Sequence, residues 1–335
     1  MTPAERVVLV GTGGFGETWW PALVESADRL QVIAVVDPDQ ASRGKAADRF
    51  GVAPDHTSAS LDGSLLRAIG ATVVIDSSPA VHRRIHALMS LERGIHMLVA
   101  KPLGLSLGEA SDIVAASRAA GGSVAVAQQM RYFPCFVALR RMLAESRYGP
   151  LVSVSVEMAL DGRGWVPGTQ WRLAMDHPLL LEAGIHHFDL LRWCLGTELR
   201  VVGGVEWNPP WSPFRAGASV SILLRTEGGV PVAYNATFAP SAHATPVRFD
   251  SGWRIECGDA CLTVADGAIY VDGLLSGPAA SEGPVPLEQL NRELLAEWLS
   301  ARAAGMPSPF DGSDNLRSMA VLEQAVKAVE AAAGA

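Results

Sequence analysis

"RVVLVGTGGFGETWWPALVES", Arg6–Ser26, is the stretch whose reading decides the fold. Val7–Val10 is an unbroken β-branched or apolar run, as in a parallel strand buried on both faces. Gly11, Thr12, Gly13, Gly14, Phe15 and Gly16 follow as G-x-G-x-x-G, and the residues beyond them read as a helix. Gly11 permits the tight turn, Gly13 lets the backbone approach a pyrophosphate, and Gly16 lets helix and strand pack closely. Phosphates would rest on the helix N-terminus, where free N–H groups and the helix dipole favour negative charge. A glycine turn alone is weak evidence, and its surroundings strengthen it. A second strand, "LQVIAVVD", ends in Asp37, 21 positions after Gly16. An acid about 20 residues beyond such glycines accepts hydrogen bonds from the adenosine ribose hydroxyls. The plainer reading of Asp37 is an N-cap or turn residue before Pro38. An acid there repels a 2′-phosphate, so NAD is favoured, and Arg43 nearby leaves NADP open.

Working outward, "ATVVID" is a third buried strand, "HMLVA" at His96–Ala100 a fourth and "SVAVA" at Ser123–Ala127 a fifth. Helical stretches lie between them at Gln40–Phe50, Ala80–Arg93 and Leu107–Ala120. Strands alternating with helices build a doubly wound parallel sheet, the Rossmann arrangement, which binds ligands outside the carboxyl ends of its strands. That rim carries the glycine turn, the Ser77–Ser78–Pro79 loop and Lys101, which precedes Pro102. A lysine at a strand end is usually a surface charge. Its place on this rim points instead to the nicotinamide end of a dinucleotide.

After about Gly122 the pattern changes. "LVSVSVEMAL" alternates with period two, as a half-exposed strand does. Strand-like runs follow at Arg200–Trp207, Ala218–Arg225, Val230–Phe238, Trp253–Cys257, Cys261–Ala265 and Ile269–Leu274. They predict a large, mostly antiparallel sheet with one face under helices and the other free for a second subunit. Two helical stretches, Leu287–Ala304 and Ser313–Ala333, close the chain. The expected division is a dinucleotide-binding domain over 1–122 and a substrate-binding and oligomerisation domain over 123–335, with the last helices able to return to the first.

One helix stands out, "LLLEAGIHHFDLLRWCLG" at Leu179–Gly196. Glu182, His186, Asp189 and Trp193 fall on one helical stripe beside an apolar one. A carboxylate and an imidazole one turn apart can hydrogen-bond, which fixes the tautomer and raises the histidine pKa toward that of a general base. An ordinary surface pair is the plainer alternative. His187 reads as structural or as a contact at a pocket wall.

The totals bound the rest. The chain has 335 residues, 49% of them hydrophobic and 19% charged, enough for two domains with cores. A net charge of −8 argues against nucleic acid and anionic membrane as partners. No apolar run is long enough to span a bilayer, and the start "MTPAERVVLVG" lacks a secretory signal pattern, so a cytoplasmic protein is expected. Cys135, Cys194, Cys257 and Cys261 match no zinc or CxxC spacing and are expected as buried, reduced thiols. No metal site is expected.

These segments together resemble the glucose–fructose oxidoreductase, inositol dehydrogenase and rhizopine-catabolism (Gfo/Idh/MocA) oxidoreductases over nearly the whole chain. The likeness runs through "VGTGGFG", "SSPAVHRRIHALMSLERGIHMLVAKPLG", "AQQMRYFP", "LLLEAGIHHFDLLRWCLG" and "GMPSPFDGSDNLRSMAVLEQA". The resemblance implies hydride transfer between a nicotinamide cofactor and a secondary alcohol or ketone of a sugar, cyclitol or related polyol. It implies Lys101 at the reacting oxygen, with Glu182 and His186 on the helix of the second domain completing the site. The cofactor would meet Gly11–Gly16, Asp37, Ser77, Ser78, Pro79, His82, Ala100, Lys101 and Gln129. The substrate would meet Lys101, Tyr132, Trp165, Trp171, Arg172, His186 and His187, with His177 in the same loop. Two positions depart from the family pattern: Ala100 stands where the family has Glu, and Glu182 where it has Asp. Losing the first acid should lower the Lys101 pKa. A homodimer or homotetramer through the second sheet is expected. Two other readings stay open. One is an NAD-dependent glycoside hydrolase or lyase with transient oxidation, and the other a non-catalytic NAD-binding sensor.

Overall fold

The computed structural model describes residues 4–165, 170–279, 283 and 285–334, apart from the side chains of Trp165 and Gln170. The chain forms two compact units. One comprises Met1–Gln129 with Pro286–Met319, the other Met130–Val285 with Ala320–Ala335.

The first unit holds a parallel sheet in the order β3-β2-β1-β4-β5-β6. Its strands are β1 (Glu5–Val10), β2 (Leu30–Val36), β3 (Thr57–Ser58), β4 (Val73–Asp76), β5 (His96–Ala100) and β6 (Val124–Ala127). Val7, Val8, Ala34, Val35, Val73, Val74, Met97, Leu98 and Val99 have no exposed surface, the signature of a sheet covered on both faces. Its helices are α1 (Trp20–Glu25), α2 (Gln40–Phe50), α3 (Gly63–Ala68), α4 (Arg83–Leu91) and α5 (Leu107–Ala120). Asp39, Asp62 and Ser106 cap α2, α3 and α5 by accepting backbone N–H groups. The helix expected directly after the glycines begins instead as a 3-10 stretch, Gly14–Trp19. Pro21 has no N–H to donate, so it sits in the first turn of α1 rather than inside a longer helix.

The unit boundary falls at Gln129/Met130 rather than at 122/123, because β6 pairs with β5 in the parallel sheet. The chain returns to this unit over Pro286–Met319. There Asn291 donates to Thr18 Oγ1 at 2.8 Å, and Val126 donates its N–H to the Phe310 carbonyl at 2.9 Å.

The second unit begins with α6 (Pro134–Ala144) and α7 (Ile185–Leu195) and carries a sheet in the order β14-β13-β12-β11-β7-β10-β9-β8. These strands are β7 (Leu151–Ala159), β8 (Leu199–Trp207), β9 (Ser219–Thr226), β10 (Pro231–Thr237), β11 (Trp253–Cys257), β12 (Cys261–Ala265), β13 (Ala268–Val271) and β14 (Leu274–Leu275). All pairings are antiparallel except β10 with β7. The single strand expected at Ile269–Leu274 is two, because Asp272 and Gly273 take positive φ (50° and 80°) and turn the chain into a hairpin. Val154, Val156, Ile222, Leu224, Val232, Tyr234 and Ile255 are buried on the covered face. Phe188 of α7 meets Tyr234 of β10, and Phe136 of α6 meets Trp253 of β11 at 4.9 Å. The last helices are α8 (Leu287–Ala303), in the first unit, and α9 (Gly312–Ala333). Cys135 and Cys194 are buried as expected, whereas Cys257 and Cys261, at a hairpin, are only half-buried. Among the described residues no helix is long and apolar enough to cross a membrane.

Candidate functional site

The glycine turn is built by close approach. Gly11 has φ +74°, and a Cβ there would lie 2.6 Å from the Ser78 nitrogen. A Cβ on Gly16 would lie 2.0 Å from the Gly11 carbonyl oxygen, so only glycine lets the following turn pack on the strand end. Gly14 also takes a positive φ (54°), in open space. Phe15 is half-buried and packs edge-on against Trp19, 6.5 Å between centroids.

Asp37, at the end of β2, faces this turn. Its Oδ2 accepts the Thr12 N–H at 2.7 Å, the Gly13 N–H at 3.3 Å and the Thr12 hydroxyl at 3.3 Å. Its Oδ1 accepts the Asp39 N–H at 2.9 Å. A carboxylate offers about four lone-pair sites, so Oδ1 keeps capacity for a hydroxyl. Arg43 donates to the Asp37 carbonyl at 2.5 Å, which holds its guanidinium beside the same strand end.

The Ser77–Ser78–Pro79 loop walls the turn from the β4 side. A small cavity is lined by Gly11, Thr12, Gly16, Trp20, Ile75 and Ser77. Behind the loop lies a buried group that the sequence reading missed. Asp76 and Arg83 are 0% and 1% exposed and pair at 3.3 Å. His86 Nδ1 lies 3.1 Å from Asp76 Oδ2, and the Ser78 hydroxyl donates to Asp76 Oδ1 at 2.6 Å. Burial alone would push the Asp76 carboxyl up. The Arg83 charge and the His86 and Ser78 hydrogen bonds overcome that and hold it below the usual carboxylate range. His82 is exposed and stacks on His86, 5.9 Å between centroids.

Lys101 is half-buried directly after β5 and joins Pro102 through a cis peptide bond. Ala100, the last residue of β5, pairs with Ala127, so the departure from the family pattern places a methyl group at this strand end. Gln129 is buried, and its Oε1 has no protein hydrogen-bond partner.

In the second unit, Glu182 lies in a π-helical turn, Leu180–Gly184, that runs into α7. The α-helical stripe predicted from four-residue spacing is therefore interrupted at Glu182, and such turns recur at functional sites. Glu182 accepts a hydrogen bond from Arg172 Nε at 2.9 Å, and Arg172 stacks over the Trp171 ring at 4.5 Å. Arg172 is thus ion-paired within this unit. Trp171 is 45% exposed. Trp165 ends the short turn Gly162–Trp165, but its side chain lies outside the described residues. Tyr132 is half-buried after β6.

His186 is 4% exposed and meets Phe249 edge-on at 5.8 Å. Of the two readings of His187, structural or at a pocket wall, its surroundings fit the structural one. It is fully buried, stacked on Phe249 at 4.6 Å, with Nδ1 3.1 Å from the Tyr234 hydroxyl. Burial pushes its pKa down to about 3, so it packs as a neutral ring. Asp189 is held by Arg131 in a buried bidentate pair at 2.7 and 2.6 Å. His177, at φ 50°, sits with Nδ1 2.7 Å from Glu206 and Nε2 3.5 Å from Glu330, and is engaged by carboxylates of its own unit. Among the described residues no cluster of three or more metal-ligating side chains is present.

Comparison with known proteins bears on the family and the fold. A family model described as "Oxidoreductase family, NAD-binding Rossmann fold" matches residues 5–128, and one described as "GFO/IDH/MocA C-terminal domain" matches residues 136–257. The chain belongs to the Gfo/Idh/MocA oxidoreductase family and carries its NAD-binding Rossmann domain. Inositol 2-dehydrogenase 1 of Saccharopolyspora erythraea is 28% identical over 97% of this chain and 94% of its own length. D-apiose dehydrogenase of Paraburkholderia graminis is 25% identical over 94% of this chain and 85% of its own. Among solved structures, the WlbA dehydrogenase of Bordetella pertussis, in complex with NADH and UDP-GlcNAcA, shares the fold. It has a TM-score of 0.79 at 18% identity and covers 98% of this chain and 97% of that one.

The residues present fit NAD. The glycine turn leaves the space that a side chain would fill, Asp37 keeps a free lone-pair direction, and Gln129 Oε1 is an acceptor without a protein donor.

Proposed function

We propose that this oxidoreductase transfers a hydride between NAD and a secondary alcohol or ketone of a sugar, cyclitol or related polyol. The observation that carries the reading is the pairing of two features in one chain. One is a glycine turn shaped for a dinucleotide, the other a buried helical histidine, His186, beside a carboxylate-bearing π turn. Relatives named for inositol and D-apiose support the substrate class.

Bound NAD supplies the hydride acceptor. Gly11–Gly16 admit the pyrophosphate, Asp37 takes the ribose hydroxyls, and Ser77, Ser78, Pro79, His82, Ala100, Lys101 and Gln129 line the cofactor. A carboxylate at Asp37 favours NAD over NADP by repelling a 2′-phosphate, and Arg43 is the residue that would admit NADP. A ring nitrogen of His186 takes the hydroxyl proton of the substrate in oxidation and returns it in reduction. The Lys101 ammonium stabilises the negative charge that develops on the substrate oxygen. Glu182 sets the charge beside His186, and Arg172 holds Glu182 in place through the hydrogen bond between them. Trp165 and Trp171 offer aromatic faces to sugar C–H groups, and Tyr132 lines the substrate.

We also infer a homodimer or homotetramer through the open face of the second sheet, on which Val205 and Leu223 remain 50% and 46% exposed. A cytoplasmic location fits an NAD-dependent enzyme whose cysteines need no pairing.

The test is NADH absorbance with purified protein, NAD or NADP, and a panel of inositols, sugars and glycosides. NADH should form with a polyol and be lost in Lys101→Met and in His186→Ala. Near wild-type turnover in both variants would refute the roles. Silence across the panel with NADH still bound would refute the dehydrogenase reading.

A further inference from the structure

Ser77 and Ser78 approach Gly11 so closely that their main chain sets the wall of the glycine turn. The Ser78 nitrogen and the Ser77 carbonyl carbon lie 2.6 and 2.8 Å from where a Gly11 Cβ would stand. A shift of a few tenths of an ångström in this loop would therefore open or close that wall.

The Asp76–Arg83 pair grips this main chain from behind. Arg83 donates to the Asp76 carbonyl through Nη1 at 2.5 Å and to the Ser78 carbonyl through Nη2 at 2.8 Å. Asp76 Oδ1 accepts both the Ser78 N–H, at 2.8 Å, and the Ser78 hydroxyl. Ser77 donates its N–H to the Val10 carbonyl at 2.8 Å, tying the same loop to the strand that feeds the glycines. Both backbone polar groups of Ser78, together with the carbonyl at the end of β4, thus end on one buried ion pair. Desolvating two charges is costly, and a buried pair adds little or nothing to stability beyond an apolar replacement. Its value here lies in fixing geometry.

We propose that Asp76 and Arg83 are positioning residues for the dinucleotide: they lock Ser77 and Ser78 against Gly11 and so set the width of the cofactor site. This rests on the reading that the glycine turn binds NAD. Both are buried behind the loop and act through it.

The test compares wild type with Asp76→Asn/Arg83→Met, which removes both charges and leaves none unpaired. Two quantities are read: thermal stability without cofactor, and NADH affinity by fluorescence titration. The double variant should stay folded, with its melting temperature lowered by the loss of the donor to the Asp76 and Ser78 carbonyls, while its Kd for NADH rises tenfold or more. Arg83→Lys keeps the charge but cannot reach both carbonyls, and should weaken NADH binding about fivefold. A folded double variant with NADH affinity within twofold of wild type would overturn the proposal. Should the double variant fail to fold, Arg83→Lys decides on the same twofold limit. Wild-type protein that binds neither NADH nor NADPH would overturn the cofactor reading itself, and the positioning role with it.

Discussion

The four glycines of the turn should differ in what alanine does to them, and the differences follow from their surroundings. Gly11→Ala meets two penalties. A left-handed alanine costs about 1–2 kcal/mol. Its methyl would also press on the Ser77–Ser78 backbone at 2.6–2.8 Å, and overpacking against atoms that cannot swing aside costs about 1–3 kcal/mol. The sum is about 2–5 kcal/mol. Gly14→Ala meets only the left-handed penalty, about 1–2 kcal/mol, since nothing lies within 4 Å. Gly16→Ala has no positive φ, but its methyl would fall 2.0 Å from a carbonyl oxygen, so it belongs at or beyond the top of the overpacking range, about 3 kcal/mol. Gly13→Ala meets the end of a serine side chain, Ser42 Oγ at 2.7 Å, which can rotate. Its stability cost should stay below about 1 kcal/mol, while NADH affinity falls roughly tenfold or more because the pyrophosphate needs the bare backbone. The assay is urea unfolding of each variant followed by tryptophan fluorescence, with the buried Trp19 directly behind the turn, paired with NADH titration. Equal destabilisation by Gly11→Ala and Gly14→Ala would refute the close-approach reasoning. A Gly13→Ala variant that binds NADH normally would refute the phosphate cradle.

Three further outcomes follow from the second unit. The Glu206 hydrogen bond raises the pKa of His177 above its ordinary 6.5 despite partial burial. The stabilisation is therefore complete below about pH 6.5 and disappears as pH rises through the higher folded value. Wild type should exceed His177→Gln by on the order of 1–2 kcal/mol at pH 6, with the gap closing above neutrality in pH-dependent unfolding. Arg131→Leu leaves Asp189 charged and buried and should cost about 3–5 kcal/mol, whereas Arg131→Met/Asp189→Leu should recover most of it by the same unfolding assay. Arg172→Gln frees Glu182 from its ion pair, and should lower kcat on the polyol that the panel identifies more than it destabilises the fold.

The parallel half was legible because its strands are buried on both faces, and that burial writes itself as unbroken runs such as Val7–Val10 and Val73–Ile75. β3 was not, because two residues at a sheet edge carry no period at all. The β13–β14 break does carry a signal, the Asp272–Gly273 pair, which favours left-handed conformations inside an otherwise strand-like run. The site divides in the same way. The places of Gly11–Gly16, Asp37 and Lys101 are legible locally, since each follows or ends a buried strand, and their roles at the site are part of the proposal. Asp76 and Arg83 sit seven residues apart across a turn. In sequence one looks like a strand terminus and the other like a helix surface charge. Only the fold back over Ser78 makes them partners. His186 and His187 show the limit most directly. Adjacent residues on a helix point about 100° apart. The His186 ring meets Phe249 edge-on, whereas the His187 ring lies flat on Phe249 and tilted against Tyr234, and neither partner lies within a helical turn of them in sequence. Chemistry that depends on a strand's end is thus written locally. Chemistry that depends on which helical face meets which strand is decided by packing partners some 50 residues away, Tyr234 being 47 positions from His187.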